Sequence, residues 1–470
     1  MLKYLNESRN VSFLFSRMFR FKLKKSNEIE VNQSNDYYIV LKLNNLLNQR
    51  QDYECELFTK LLYENVSEIK EFDDDFVKKS DVIKVIYNLL DNSSDVSSCI
   101  FLLKSLSLIF KKSELSQQQF FVIDKECLLL RFCKCNVLKV MVNALDVIVQ
   151  ICNTLNGSLY ALNSQVFDFA LDSALELLRF IEDDNFCDSQ LMILNKILDI
   201  IQLIVYFQEK INQFIPKIFT LIDIIFESKA RNLFLQYSMQ ILFYLTTNHF
   251  EKEVMESKQF QKTIDLLNFK ENSKYFVTIL QMLSQIIVST DEISAQYLES
   301  FQISFYINLF IQEYKNSEIC FSVLQLLSNV VISSSEFVNS FLENETFFDI
   351  LHYILLNSDF KVHKAGLLLL WNMLYIGLRS QKEEILKHNF YDELCDSFQM
   401  DDDSFLINAL NGSLKIIISA ANNSNNIQSN FFRIFVERIA PLIGNLTSCR
   451  NITILKLSRN FMKYYSKIQN

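Results

Sequence analysis

The sequence has 470 residues, of which 50% are apolar, yet only 5 are glycine and 2 are proline. So few turn-forming residues exclude β-sandwiches, β-barrels and nucleotide-binding α/β folds, all of which need many tight turns. The apolar residues recur at steps of three and four, which predicts an all-α protein. The chain is longer than one hydrophobic core needs, so we expect several domains or an elongated array.

The chain begins with a basic segment. Residues 1–25 carry seven Lys or Arg and one acidic residue, Glu7, whereas the whole chain has a net charge of −9. A basic arm on an acidic body predicts that the arm either docks onto the body or binds an acidic partner. A mitochondrial presequence and a disordered tail remain open as other interpretations. We assign the arm to residues 1–51, and we expect the acidic body to bind no nucleic acid.

An internal repeat runs through the rest of the chain. Apolar helices of about fifteen residues carry polar pairs at i and i+4, and the second pair members are spaced 41, 44, 43 and 43 residues apart: Tyr244, Gln285, Asn329, Asn372 and Lys415. All-helical units of this length are typical of armadillo and HEAT repeats, which bury their apolar faces against neighbouring units. We therefore predict a right-handed α-solenoid of armadillo repeats over residues 52–430.

The polar pairs also predict a binding surface. In an armadillo solenoid the third helix of each unit lines the concave side, and positions i and i+4 share one helix face. Amide side chains can both donate to and accept from the backbone of an extended peptide, although an ordinary solvated helix face remains the alternative. The predicted peptide-binding residues are Asn143, Asp146, Asp199, Gln202, Gln240, Tyr244, Gln281, Gln285, Gln325, Asn329, Trp371 and Asn372.

The longest apolar run, GLLLLWNMLYIGL from Gly366, contains the single tryptophan of the chain, Trp371. The run has about 13 residues, which is too short for a membrane span, so we expect none. Two interpretations of Trp371 stay open at this point. It is either a buried core residue or an aromatic side chain that leans into the groove.

Motifs for catalysis and cofactor binding are missing from the sequence. It has no phosphate-binding glycine loop, no Gly-x-Ser-x-Gly and no His-Glu-x-x-His. Its four histidines stand apart, and Cys133 and Cys135 lack a second pair that would complete a metal site. We expect a non-enzymatic binding protein with no cofactor, no metal and reduced cysteines.

Five segments resemble, in order, the repeats of importin-α, the armadillo adaptor that carries nuclear-localisation-signal cargo. They are QILFYLTTNHFEKEV (240–254), QMLSQIIVSTDEISAQ (281–296), VLQLLSNVV (323–331), SDFKVHKAGLLLLWNM (358–373) and HNFYDELCDSFQMDDDSFLINALNGSLKIII (388–418). The tail resembles that family's terminal half-repeat, which implies capping helices over residues 431–470. The resemblance covers about 230–470, whereas residues 90–230 fit by periodicity alone.

The resemblance implies a role in protein import into the nucleus. The groove would bind nuclear-localisation-signal cargo, and an export receptor would bind at the C-terminal helices. The protein would be found in the cytoplasm and the nucleus. The arm would bind an importin-β-like receptor through Arg17, Arg20, Lys22, Lys24, Lys25 and Lys42.

The sequence departs from the family at the groove tryptophans, which in that family hold the aliphatic stems of cargo lysines. Asn329 and Asn372 keep the family's asparagine positions, but Lys415 stands at the next one and would repel a basic peptide. We predict an importin-α-like adaptor, with a non-transport armadillo scaffold as the alternative. The tryptophan positions hold Gln240, Gln281, Gln325 and Leu368.

Overall fold

The computed structural model describes residues 35–48, 55–69, 72, 77, 80–124, 127–181, 187–289, 297–298, 301–421 and 430–469. Helices account for nearly all of these residues, and no strand occurs among them, so the all-α prediction is confirmed. By its internal contacts the chain divides into two compact units, Met1–Gln208 and Glu209–Asn470. The predicted boundaries after residues 51 and 430 remain predictions.

The first unit contains ten described helices. They are α1 (Asn35–Asn48), α2 (Cys55–Glu68), α3 (Val82–Asn92), α4 (Val96–Lys112), α5 (Glu114–Ile123), α6 (Leu128–Cys133), α7 (Leu138–Cys152), α8 (Leu155–Asn163), α9 (Val166–Ile181) and α10 (Asp188–Phe207).

The second unit contains fifteen described α-helices. They are α11 (Ile215–Glu227), α12 (Arg231–Thr247), α13 (Glu251–Glu256), α14 (Lys258–Asp265), α15 (Ser273–Ile287), α16 (Ile303–Glu313), α17 (Ser317–Ser333), α18 (Glu336–Leu342), α19 (Glu345–Asn357), α20 (Phe360–Ile376), α21 (Arg379–Lys387), α22 (Tyr391–Asp396), α23 (Asp403–Ala421), α24 (Asn430–Asn445) and α25 (Ile452–Gln469).

Several helices begin at a short polar residue that accepts a backbone N–H of the first turn, which satisfies a group that has no partner inside the helix. Asp95 accepts from the Ser98 N–H at 2.6 Å at the start of α4. Asp359 accepts from two first-turn amides of α20 at 2.9 and 3.1 Å. Asn316 and Asn344 cap α17 and α19 in the same way. These caps fix where the repeated helices start.

One long helix of each repeat packs against its counterpart in the next repeat, and we call these the stacked helices. In the first unit they are α2, α4, α7 and α10, and in the second unit they are α12, α15, α17, α20, α23 and α25. Their apolar residues are buried on more than one side, as Leu367 and Leu369 of α20 show, which point in nearly opposite directions. The polar pairs predicted from the sequence fall on these helices, which is the arrangement of an α-solenoid.

Among the described helices, α10 alone is long and apolar enough to cross a membrane, with 20 residues and a mean hydropathy of 1.5. It packs against α7, α8 and α9 and buries Ile197, Ile201 and Ile204. Packing therefore accounts for part of its apolar composition, with 39% of the apolar window buried. The absence of a membrane span stays a prediction.

Candidate functional site

The second unit presents a row of polar side chains on its stacked helices. Residues seven and eleven apart are close to two and three whole helical turns apart, so they share one face. We call this the ladder face. It consists of Lys274, Gln281 and Gln285 on α15; Glu318, Gln325 and Asn329 on α17; Lys361, Leu368 and Asn372 on α20; and Ser404, Asn411 and Lys415 on α23.

The predicted amides on the ladder face differ in their accessibility. Gln281 and Gln325 are exposed, and Gln285 is half-buried, so all three can reach a ligand. Gln240 and Tyr244 lie half-buried on α12. The structure thus brings the predicted residues of the second unit onto one series of packed helices.

The two asparagines at the importin-α positions are engaged within the stack. The Asn329 Nδ2 donates to the Ser284 Oγ at 2.7 Å, and the Asn372 Nδ2 donates to the Ser328 Oγ at 2.7 Å. Asn372 also reaches the Ser328 carbonyl oxygen at 3.2 Å and is 6% exposed. The sequence places Ser328 in the polar stripe with Gln325 and Asn329, but it did not indicate Ser284 or the role of either serine as a hydrogen-bond partner. These hydrogen bonds join neighbouring stacked helices.

Trp371 lies in the core, so its assignment to the peptide-binding residues is corrected. Its side chain is 0% exposed, and its indole N–H donates to the Ser397 Oγ at 2.9 Å. Its ring packs against Phe398 and Phe435 at centroid distances of 5.8 and 6.1 Å. A buried indole whose N–H is satisfied has no free face for a ligand.

In the first unit, the predicted residues lie on α7 and α10, which pack against each other. Asp146 of α7 forms an ion pair with Lys196 of α10. The Asn143 Nδ2 donates to the Lys139 carbonyl oxygen of its own helix at 2.6 Å. Asp199 and Gln202 are half-buried on α10. The charge of Asp146 is therefore neutralised by a lysine of the same chain, a pairing that the sequence did not indicate.

Lysines of the protein itself contact aromatic rings across the stacked helices of the second unit. The Lys361 Nζ lies 4.0 Å from the centroid of the Phe321 ring on α17, and the Lys415 Nζ lies 5.4 Å from that of Tyr375 on α20. Such contacts are attractive because the ring face carries partial negative charge. The aromatic faces that a basic peptide would need are thus next to the protein's own cations.

A further lysine, Lys382 at the start of α21, lies near Lys415. It is 5% exposed, and its ammonium group makes no ion pair or hydrogen bond with any described residue. Burial, and to a lesser extent the charge of Lys415, lower the pKa of Lys382 to about 8. This residue could not be predicted from the sequence, because the burial of a lysine stem depends on how helices pack in the fold.

Most of the predicted arm lies outside the described residues, including Arg17, Arg20, Lys22, Lys24 and Lys25. Lys42 is half-buried on α1. In the described part of the chain, no group of three or more His, Cys, Asp or Glu is placed to hold a metal ion. The described cysteines, which leave out Cys55, are unbonded.

No protein-family model matches the sequence, and no curated protein matches it. Solved structures do match the fold. An engineered protein superposes with a TM-score of 0.65 at 12% identity, over 91% of this chain and 99% of its own.

Two further structures superpose over most of this chain with lower TM-scores. A structure from a study of the phosphorylation-controlled interaction between cadherin and β-catenin has a TM-score of 0.51 at 10% identity, over 93% of this chain and 97% of its own. Importin β has a TM-score of 0.53 at 11% identity, over 92% of this chain, which spans 53% of the importin β chain. The fold is an armadillo/HEAT-like α-solenoid. At these identities the likeness concerns the fold of the solenoid and does not extend to its ligands.

Proposed function

We propose that the protein is a non-enzymatic scaffold that binds extended segments of partner proteins along the faces of its stacked helices. The observation that carries the proposal is the recurrence of accessible amides, Gln281 and Gln325, at the same place on successive helices of the solenoid. Neighbouring helices lie about 8–10 Å apart, and an extended chain advances about 3.3 Å per residue. Every third residue of an extended peptide therefore meets a new helix.

Fluorescence anisotropy with two labelled peptides of about twelve residues tests this proposal. One alternates Ser and Glu and the other alternates Ser and Lys, and each spans about four stacked helices at full extension. We expect saturable binding of one peptide to the full-length protein. Replacing Gln281 and Gln325 together by Ala should weaken it, whereas Gln312→Ala, an exposed glutamine on α16, should not. If neither peptide binds the folded protein, the scaffold proposal fails.

The second candidate is the importin-α-like adaptor, with nuclear-localisation-signal cargo in the groove and an importin-β-like receptor on the arm of residues 1–51. Its support is the order of the five resembling segments and the retained Asn329 and Asn372. It also proposes an export receptor at α24 and α25 and a location in cytoplasm and nucleus. The weight against it comes from the serine partners of both asparagines and from Lys415.

Restoring the family's aromatic positions tests this second candidate. Gln325→Trp combined with Leu368→Trp should tighten a lysine-rich peptide, because an indole slot contributes about 0.5–2 kcal/mol through cation–π contact. Anisotropy with the Ser–Lys peptide measures the gain. Unchanged affinity would contradict the alignment of Gln325 and Leu368 with the tryptophan positions of importin-α.

A further inference from the structure

The charge of the second unit is divided between its two kinds of helix. Its stacked helices carry nine basic residues against two acidic ones, Glu318 and Asp403. The basic residues are Arg231, Lys274, Lys361, Lys364, Lys415, Lys456, Arg459, Lys463 and Lys467. The remaining α-helices of this unit carry nine basic residues against sixteen acidic ones. A net negative chain thus keeps an excess of positive charge on its stacked helices.

On the ladder face itself, lysines outnumber acids. Lys274, Lys361 and Lys415 are exposed there, against one exposed carboxylate, Glu318. Lys364, on α20, is already paired with Asp402. A cationic peptide would meet repulsion at each exposed lysine, whereas an anionic peptide would meet complementary charge.

Lys382 adds a further cation, close enough to Lys415 for the two charges to interact. The residue Lys382 is 5% exposed, whereas Lys415 is exposed, and no described carboxylate pairs with either lysine. Two like charges held together in a folded protein raise its free energy unless a counter-charge binds between them. Tyr375, which is 38% exposed and contacts Lys415, adds a hydroxyl and a ring at the same place. The cluster is therefore suited to one anionic side chain.

We infer that the ladder face of the second unit binds an acidic extended peptide, with one carboxylate or phosphate of that peptide held between Lys382 and Lys415. This inference rests on the proposed scaffold function and adds the chemistry of the ligand. An amide ladder engages the peptide main chain, and the lysines select its side chains. The ligand is the reverse in charge of a nuclear-localisation signal.

The spacing of the charges favours a peptide over a nucleic acid. Lys274 and Lys361 lie two helices apart in the stack, about 16–20 Å, and Lys415 lies about 16 Å further along its helix than the position level with Lys361. Duplex DNA, in contrast, carries one phosphate per about 1.7 Å of its axis. An extended peptide with acidic residues along its length can place one of them near each of these separated lysines.

Anisotropy titration of the full-length protein with the labelled Ser–Glu peptide tests the inference. We expect Lys415→Gln and Lys382→Met each to weaken binding about tenfold, in line with the strength of a charge-assisted hydrogen bond. Lys387→Gln, an exposed lysine on the same helix as Lys382, should bind like the wild type. Lys382→Met keeps an unbranched apolar side chain in place of the buried lysine stem. If Lys382→Met fails to fold, the surface variant Lys415→Gln is sufficient to test the inference.

The outcomes separate this inference from the scaffold proposal. Tight binding of the Ser–Lys peptide would overturn the inference but not the scaffold proposal. The same holds if the Ser–Glu peptide binds with an affinity that neither Lys382→Met nor Lys415→Gln changes. Failure of both peptides would overturn both. Labelled oligouridine is the nucleic-acid comparison. If it binds more tightly than the Ser–Glu peptide, and Lys415→Gln weakens its binding as well, the ladder face is a nucleic-acid site and the proposal of a peptide ligand fails.

Discussion

Trp371 shows what the local sequence leaves undecided at the scale of a single residue. It lies three residues beyond Leu368 in a helix whose apolar residues point in nearly every direction, so its spacing alone fits both core and groove. The deciding contacts come from Ser397, Phe398 and Phe435, which belong to the following repeats. Asn372 could be assigned to a stacked helix from its period, but its partner Ser328 depends on the angle at which two helices pack.

Trp371 is the only tryptophan in the chain, so its fluorescence reports one site. We expect emission at the short wavelengths of a buried indole, weak quenching by iodide, and little change when a peptide binds. Trp371→Phe should lower the free energy of unfolding by about 1–3 kcal/mol, through a lost hydrogen bond and lost packing, with peptide affinity unchanged. Strong quenching by iodide that decreases when a peptide binds would show instead that Trp371 faces the peptide-binding groove.

At the scale of the helix, periodicity and polar caps account for most of what could be predicted. The pairs at 240/244, 281/285 and 325/329 fall inside α12, α15 and α17, because an apolar stripe of period 3.6 has to be buried on a helix. Side chains that join two helices could not be predicted in the same way. The contact between Gly412 of α23 and Trp371 of α20 is one such case.

Gly412 and Gly444 form a matched pair of helical glycines that differ in surroundings. A Cβ on Gly412 would lie 2.6 Å from the Trp371 Cε3, whereas a Cβ on Gly444 would meet only the Met462 Cε, at 4.0 Å. Gly412→Ala should therefore lower the free energy of unfolding by about 1–2 kcal/mol through overpacking. Gly444→Ala should raise it by about 0.5–1 kcal/mol through lower backbone entropy of the unfolded chain. Urea unfolding followed by circular dichroism measures both, and equal effects would contradict the packing of α20 on α23.

Asp402 precedes α23 and accepts from the Phe405 N–H at 2.9 Å while pairing with Lys364 of α20. The hydrogen bond from Lys364, followed by those from Phe405 and Ser404, holds the pKa of Asp402 below its usual 3.8. The carboxylate therefore stabilises the fold fully above about pH 4, and this contribution falls as the pH drops towards the lowered folded-state pKa.

Asp402→Ala should lower the free energy of unfolding by about 0.5–2 kcal/mol at pH 7, as loss of a helix cap does. Asp402→Asn keeps the helix cap but removes the charge. The difference in free energy of unfolding between this variant and the wild type should therefore become smaller as the pH falls below 4. Thermal unfolding at pH 7, 4 and 3 measures the trend. A difference that grows towards pH 3 would contradict the charged pairing of Asp402 with Lys364.

At the scale of the whole molecule, the repeat period and the scarcity of glycine and proline were enough to predict a helical solenoid. They were not enough to predict its ligand. The ladder positions at 281, 325, 368 and 411 follow from the period, but the burial of Lys382 beside Lys415 follows from how successive repeats pack. The charged residues of a single helix are indistinguishable in sequence from an ordinary solvated face. Only the packing of neighbouring helices shows which of these charges line up across the stack. The electrostatic character of the ladder face is therefore a property of the assembled stack.

Hydroxyl-radical footprinting of the full-length protein with and without saturating Ser–Glu peptide tests the central claim most directly. The account predicts protection of Tyr375 and Phe321, which lie beside the ladder face, and unchanged labelling of Tyr353 and Phe269, which are exposed outside the stacked helices. Protection of Tyr353 and Phe269, with Tyr375 and Phe321 labelled as before, would place the binding surface elsewhere and contradict the account.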